Sequence, residues 1–288
     1  MIISENKQVS ILAKKNNVAI LNPMKYRGTL YYFFLAFFRK FRLKDIFLYN
    51  KFPQTEPQCI IVFDSLISKY YLRALKKNYP KARIIFWYWN DVRYTLPPDK
   101  IPNGIEKWSY SEQDCQKYNL KFNTQFFLRE KEENSMPVTK DIIYVGRDKN
   151  RRKDLIFYET LFKKKGLNVD FHVVANRNHF VFKNKRYYKA PISYTEVLQK
   201  VQSSKAVFDF YEDEAMGLSL RPFEALVYQK KLITNNKNIS SYDFYHPNNI
   251  FILGKDDLSE LEHFLQLPFI DTTAVIEKYS FESWIQRF

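Results

Sequence analysis

The chain has 288 residues, of which 45% are apolar and 18% are aromatic. This apolar content excludes a disordered polymer, and the length favours two domains, each with its own core. The two cysteines, Cys59 and Cys115, lie far apart in the sequence, which argues against a disulfide framework and favours a reducing cytoplasm.

The formal net charge of +15 is distributed unevenly. Residues 1–130 carry 22 Lys and Arg against 10 Asp and Glu, whereas residues 131–288 carry 24 against 21. A basic field attracts phosphate on nucleic acid, on an anionic bilayer or on a small molecule. The sign of the charge therefore does not choose among these partners.

Short β-branched and apolar runs alternate with longer helical patterns, which predicts an α/β architecture with largely parallel sheets. In the first half, the predicted strands are 18–21, 45–49, 59–64, 83–89 and 124–128, and the predicted helices are 29–41 and 66–78. The first of these helices belongs to TLYYFFLAFFRKFRLK (29–44), which joins nine apolar or aromatic residues to a cationic end. It is too short to span a bilayer, so it is either a helix at the headgroup interface or a core helix that covers a sheet.

The polar stretch 129–140 interrupts this alternation and predicts a linker. Beyond it, the predicted strands are 141–146, 168–174, 206–210, 231–234 and 249–253, and the predicted helices are 152–165, 193–202 and 220–229. We therefore expect two domains, 1–130 and 140–273, and a final helix over 274–288 that packs back on the first domain.

Several common chemistries have no motif in this sequence. The six glycines form neither G-x-G-x-x-G nor a P-loop, which argues against dinucleotide oxidoreduction and P-loop phosphoryl transfer. The four histidines have no metal-ligand spacing, so no metal site is predicted.

The segment DIIYVGRDKNRRKDLI (141–156) is an apolar strand that ends at Gly146 and leads through a basic loop into a helix. Ligands of parallel α/β sheets bind at the carboxyl ends of the strands. Gly146 provides backbone freedom there. The loop and the start of the helix bring positive charge that could neutralise a diphosphate, from Arg147, Lys149, Arg151, Arg152 and Lys153. The alternative is a solvated basic loop.

The stretch GLSLRPFEAL (217–226) has the pattern of a helix start. Ser219 suits the N-cap, Pro222 then falls in the first turn, and Gly217 permits close approach of an anion. Arg221 and Glu224 are three residues apart and share a face of the helix.

An arginine at this position can bind phosphate oxygens, and a carboxylate can accept hydrogen bonds from the vicinal hydroxyls of a ribose. The alternative is an ordinary surface ion pair between Arg221 and Glu224. Asn235 and Asn236 follow the strand 231–234 and are expected at the same edge of the sheet.

Together with PISY (191–194), KKLITNN (230–236) and YDFY (242–245), these motifs resemble the donor-binding half of GT-B glycosyltransferases, above all small bacterial enzymes of lipopolysaccharide, capsule or exopolysaccharide synthesis. The resemblance covers residues 140–288 by motif and the first half by architecture alone. It implies two Rossmann-like domains that face a central cleft, with a nucleotide sugar held by the second domain.

Carried over residue by residue, the resemblance implies a distinct role for each motif. Gly146 and Arg147 would lie beside the diphosphate, Tyr194 near the base, Ser219 and Arg221 at the phosphates, and Glu224 at the ribose. Met216 stands where the commoner family pattern has a glutamate, so no stereochemical outcome is predicted.

We therefore expect a cytoplasmic, metal-independent and cofactor-independent glycosyltransferase whose basic first domain docks to the inner leaflet of the membrane. It would move a sugar from a nucleotide-diphosphate donor to a surface-polysaccharide or lipid-linked acceptor. Asp64 and Asp91, each at the end of a predicted strand, are the candidates for the base. Two alternatives remain: a nucleic-acid-binding basic α/β protein, which the absence of recognition motifs disfavours, and a non-catalytic GT-B relative that binds a glycan or a partner protein.

Overall fold

The computed structural model describes residues 1–25, 34, 37, 38, 48–65, 67–127, 136–176, 187–211 and 217–288. The chain divides into two compact units, one formed by Met1–Leu128 with Trp284–Phe288 and the other by Arg129–Ser283. Within the described residues each unit contains one sheet, and all paired strands in both sheets are parallel. The predicted α/β class is confirmed.

The first unit is built on a six-stranded sheet in the order β2-β1-β3-β4-β5-β6. Its strands are β1 Ile2–Ile3, β2 Ile20–Leu21, β3 Cys59–Phe63, β4 Arg83–Tyr88, β5 Glu106–Ser109 and β6 Lys121–Phe122, and its helices are α1 Lys7–Lys15, α2 Lys69–Asn78 and α3 Glu112–Tyr118. The central strands β3 and β4 are nearly continuous apolar runs because both of their faces are covered.

Helix α2 begins after Ser68, whose hydroxyl accepts a hydrogen bond from the N–H of Tyr71. Tyr71, Leu72 and Leu75 form its buried face and belong to the core of this unit. The helix therefore has the amphipathic pattern that the sequence indicates, although it begins three residues later than predicted.

Three strands of the first unit were not predicted, namely β1, β5 and β6. The predicted strand 124–128 is wrong, since 124–127 has no regular structure in the part of the chain that is described. Phe126 is instead buried against Trp284, with ring centroids 4.6 Å apart. The predicted helix 29–41 and most of the predicted strand 45–49 lie outside the described residues, apart from five positions that include Phe34 and Phe37.

The predicted single helix over 274–288 is also wrong. The structure has α8 Thr273–Ile276, a 3₁₀ turn Glu277–Tyr279 and α9 Phe281–Gln286. The break falls at Ser280, whose backbone is extended and whose hydroxyl accepts a hydrogen bond from the N–H of Ser283. This break separates the end of the second unit from the segment that returns to the first unit, where Trp284 packs on Trp87.

The second unit has a five-stranded sheet in the order β11-β10-β9-β7-β8. Its strands are β7 Lys140–Arg147, β8 Val169–Val174, β9 Ser204–Asp209, β10 Lys231–Thr234 and β11 Ile250–Ile252, and its other helices are α4 Arg152–Lys164, α5 Tyr194–Gln202, α6 Arg221–Val227 and α7 Leu261–Gln266. From β7 the chain first adds β8 on one side and then β9 on the other. The strand order thus reverses between β7 and β9, and ligands of open α/β sheets bind at the carboxyl ends of the strands at such a switch point.

No helix in the described ranges combines the length and the apolar character that crossing a bilayer requires.

Candidate functional site

Arg221 connects the two strands at the switch point of the second sheet. Its Nε and Nη2 atoms donate to the carbonyl oxygen of Val145 in β7, at 3.1 and 2.9 Å, and its Nη1 donates to Oδ1 of Asp209 at the end of β9, at 3.0 Å. Asp209 is 1% exposed, whereas the Arg221 side chain is 18% exposed. Arg221 is therefore the more exposed member of this ion pair.

Gly146 is required by this arrangement. A Cβ atom at residue 146 would lie 2.2 Å from Nη2 of Arg221 and 3.0 Å from the hydroxyl of Tyr144. Gly146 lies within β7, opposite Val173, and does not form a turn. Its missing side chain makes room for a guanidinium of the protein itself.

Asp209 accepts hydrogen bonds from both Arg221 and Ser219. Its Oδ2 accepts a hydrogen bond from the Ser219 hydroxyl at 2.9 Å, and the backbone N–H of Ser219 donates to the Tyr211 hydroxyl at 2.8 Å. Asn235 forms two hydrogen bonds with the backbone of Tyr211, both 2.8 Å long, and so joins the carboxyl ends of β9 and β10. These contacts within the chain hold the carboxyl edge of the sheet in place without a ligand.

The start of α6 differs from the prediction. Helix α6 begins at Arg221 with Leu220 as its N-cap residue, and Pro222 lies in the first turn as expected. Ser219 is not the cap, because its hydroxyl is engaged with Asp209, although it also accepts the N–H of Arg221 at 3.2 Å. The helix spans seven residues, and Gly217 precedes it without a described contact to any of these groups.

Arg151 is a second guanidinium at this edge, and it is only 7% exposed. Its hydrogen bonds go to uncharged oxygens: the carbonyls of Asp148, Arg147 and Phe210 and the hydroxyl of Tyr144. Among the described residues no carboxylate forms an ion pair with it. A buried cation whose acceptors are all neutral leaves a positive potential that an anion can satisfy.

Tyr144 supports both guanidinium groups. Its ring lies 5.0 Å from Cζ of Arg221 and 6.0 Å from Cζ of Arg151, and its hydroxyl donates to the carbonyl of Arg147. The negative face of the ring attracts these two guanidinium groups and so offsets part of the hydration that they lose.

Lys149 brings a further positive charge to this edge of the sheet. The pKa of its ammonium group is lowered, first by partial loss of hydration and then by the charges of Arg151 and Arg221, with Asp209 opposing. Arg147, which is exposed, donates to the carbonyl of Ala175. The carboxyl edge of β7 therefore has more positive charge than its described acidic partners neutralise.

The sequence matches no protein-family model and no curated protein. Among solved structures, the chain is similar to a DNA-modifying β-glucosyltransferase, whose substrate is uridine diphosphoglucose. The TM-score is 0.48 and the identity is 15%, over 93% of this chain and 95% of that one. A likeness of this size assigns no function to the chain.

Glu224 lies three residues after Arg221 on α6 and is 8% exposed. Burial raises the pKa of its carboxyl group, while the charge of Arg221 and a hydrogen bond from Tyr194 oppose this increase. Tyr194 is the first residue of α5, which is fixed by a capping box between Ser193 and Glu196. The structure thus brings Tyr194, Glu224 and Arg221 together.

The two candidate bases of the first unit differ in environment. Asp64, at the end of β3, is 2% exposed, and its two oxygens accept hydrogen bonds from the backbone and side chain of Asn90. Burial raises its pKa to about 7. Asp91 instead caps a 3₁₀ turn and pairs with Arg93, and these contacts overcome the effect of burial and lower its pKa.

Sequence reasoning missed Asp209, Tyr144, Tyr211 and Asp148 as members of the site. The only signal for Asp209 was its position at the end of a strand beside the switch point. Within the described residues no group of three or more His, Cys, Asp or Glu side chains is arranged to hold a metal ion.

Proposed function

We propose that the chain is a glycosyltransferase of the GT-B type that takes a sugar from a nucleoside-diphosphate donor. The observation that carries this proposal is the excess positive charge at the β7/β9 switch point, where Arg151 has only neutral acceptors among the described residues. The charges of Arg151 and Arg221 also add to the effect of lost hydration in lowering the pKa of Lys149. A diphosphate is the ligand group that best satisfies such a site, because it offers several anionic oxygens to fixed N–H donors.

In this proposal the diphosphate contacts Lys149, Arg151 and Arg221. The guanidinium of Arg221 has more N–H groups than its described acceptors use, so it can bind a phosphate oxygen without leaving Asp209. These cations would stabilise the charge that develops on the leaving nucleoside diphosphate when the glycosidic bond breaks. In this proposal the step uses neither a metal ion nor a cofactor.

Tyr194 and Glu224 would bind the nucleoside. The Glu224 carboxyl group is suited to accept hydrogen bonds from the ribose hydroxyls, and the Tyr194 ring to stack on the base. Gly217, Ser219 and Asn235 would shape the same edge without contacting the reacting atoms.

Asp64 is the better of the two candidate bases. A carboxyl group with a pKa of about 7 can both accept a proton and exist deprotonated at neutral pH, whereas Asp91 is held ionised by Arg93. It would remove the proton from the acceptor hydroxyl as that oxygen attacks the anomeric carbon.

We propose a lipid-linked or surface-polysaccharide acceptor, reached by peripheral docking of the first unit to an anionic cytoplasmic leaflet. Its support is the strong positive charge of residues 1–130 and the exposure of Phe34 and Phe37, at 44% and 43%. Exposed aromatic rings beside lysine and arginine suit the headgroup region of an anionic bilayer. Sedimentation with anionic and with neutral vesicles tests this docking, and equal binding to both would contradict it.

The donor is tested by thermal-shift measurements with UDP, GDP, CDP and ADP, followed by mass spectrometry of nucleoside diphosphate released from the corresponding nucleotide sugars. We expect one nucleotide to raise the melting temperature, because a ligand that binds only the native state stabilises it. Binding without turnover would favour a non-catalytic glycan-binding or partner protein. Salt-dependent oligonucleotide binding without any nucleoside-diphosphate binding would favour a nucleic-acid-binding protein.

A further inference from the structure

The loop that follows β7 holds an unfavourable backbone conformation. Lys149 and Asn150 both have positive φ angles, of 46° and 67°. Asparagine tolerates this left-handed region, but a lysine does so at a steric cost because its Cβ atom approaches the backbone. Such a conformation persists only when neighbouring groups hold it, and it is typical of functional loops.

Two side chains that follow β8 hold this loop. Asn176 Oδ1 accepts a hydrogen bond from the N–H of Lys149 at 2.9 Å, and its Nδ2 donates to Oδ1 of Asn150 at 3.4 Å. The Tyr188 hydroxyl donates to Oδ2 of Asp148 at 2.7 Å, and Asp148 is only 4% exposed. The loop is therefore fixed from outside, at its first residue and at its strained centre.

We propose that Asn176 and Tyr188 are positioning residues, which hold the loop so that Lys149 and Arg151 are arranged to bind a diphosphate before it arrives. This inference rests on the proposed function, because the ligand is the diphosphate of the donor. When Asn176 is lost, Lys149 can relax to negative φ, and its ammonium group leaves the place that it occupies beside Arg151. Binding then has to restore the strained conformation, which lowers the affinity.

The first test compares two asparagines at opposite ends of β8. Asn176→Ala removes the contacts to the loop, whereas the control Asn168→Ala removes similar contacts, to Lys140 and Thr139, at the amino end of the strand. We expect calorimetric titration with inorganic pyrophosphate to show about a tenfold loss of affinity for Asn176→Ala, the size typical of one lost hydrogen bond, and none for Asn168→Ala.

A double-mutant cycle separates positioning from general destabilisation. If Asn176 acts through Lys149, Asn176→Ala should cost little further affinity in a Lys149→Met background, because the positioned group is already gone. An equal loss in both backgrounds would show that Asn176 acts by another route and would overturn its positioning role.

The second test uses two adjacent tyrosines. Tyr188→Phe removes the bond to Asp148, while Tyr187→Phe removes a buried hydroxyl that has no hydrogen-bond partner in the described part of the chain. We expect only Tyr188→Phe to weaken pyrophosphate binding, and unchanged affinity in both Tyr188→Phe and Asn176→Ala would overturn this inference while leaving the proposed function intact. Absence of binding by the wild-type chain to pyrophosphate and to UDP, GDP, CDP and ADP would overturn both.

Discussion

Replacement of Gly146 by alanine should destabilise the second unit through Arg221. The new Cβ would lie 2.2 Å from Nη2 of Arg221, closer than any carbon can approach, so the guanidinium must move. It is held by two bonds to the Val145 carbonyl and by its ion pair with Asp209. Moving it breaks at least part of this set.

The expected cost follows from these contacts. Hydrogen bonds that involve a charged group contribute about 1.5–3 kcal/mol each, and the partial exposure of Arg221 places the loss near the lower end, at about 2–3 kcal/mol in total. Alanine in a strand otherwise gains about 0.5–1 kcal/mol over glycine through lower unfolded-state entropy. The net loss of unfolding free energy should therefore be about 2 kcal/mol.

Urea denaturation of four chains tests this reasoning: wild type, Gly146→Ala, Arg221→Ala and the double variant. When Arg221 is already alanine, Gly146→Ala should be neutral or stabilising, because the clashing group is absent. Gly254→Ala is the control, since φ is +77° there and no atom lies within 4 Å of its Cβ, so it should cost the same in both backgrounds. An equal loss from Gly146→Ala with and without Arg221 would refute the explanation.

Two further predictions concern the buried carboxyl groups. The pKa of Asp64 is about 7 in the folded chain against an ordinary value of 3.8, so the folded state retains a proton that the unfolded state releases. The stability that this bound proton provides is complete below about pH 4 and is lost as the pH rises through about 7. The pKa difference corresponds to about 4 kcal/mol. Urea denaturation from pH 4 to 8 should show this fall in wild type and lack it in Asp64→Asn, and parallel curves would contradict the assignment. Glu224→Gln keeps the size of this buried side chain and should leave stability nearly unchanged. It replaces one oxygen that would accept hydrogen bonds from the ribose hydroxyls with an N–H donor, which should weaken nucleoside-diphosphate binding about tenfold. Undiminished affinity measured by calorimetry would remove Glu224 from the nucleoside site.

The sequence was most informative where strands are buried on both faces. The runs CIIVF and KLIT, which form β3 and β10, are apolar without interruption and were predicted within a residue of their observed bounds. Strand β5, EKWS, was missed because charged residues occupy it: Glu106 pairs with Arg83 and Lys121 across its neighbours. Such contacts join residues far apart in sequence and leave no periodic pattern.

The site shows the same limit. The sequence pattern indicates Gly146 and Arg221 as site residues, and it predicts that both lie next to a bound ligand. In the structure Arg221 bonds to Val145, 76 residues earlier, and occupies the space that a side chain at residue 146 would fill. A motif can mark a constrained position, but the group that imposes the constraint depends on tertiary contacts.

Lys149 provides the most direct test of the central claim, that the positive charge at the switch point binds a diphosphate. Because its pKa is lowered, the charge is unfavourable in the folded chain, and Lys149→Met should keep or raise the unfolding free energy. The measurement is calorimetric titration of wild type, Lys149→Met and the control Lys153→Met with UDP, GDP, CDP and ADP. Lys149 and Lys153 are both exposed, so the control removes the same charge from α4 instead of from the loop that follows β7. We predict that wild type and the control bind one of these nucleotides equally and that Lys149→Met binds it about tenfold more weakly or worse. Equal affinity of all three chains would contradict the claim.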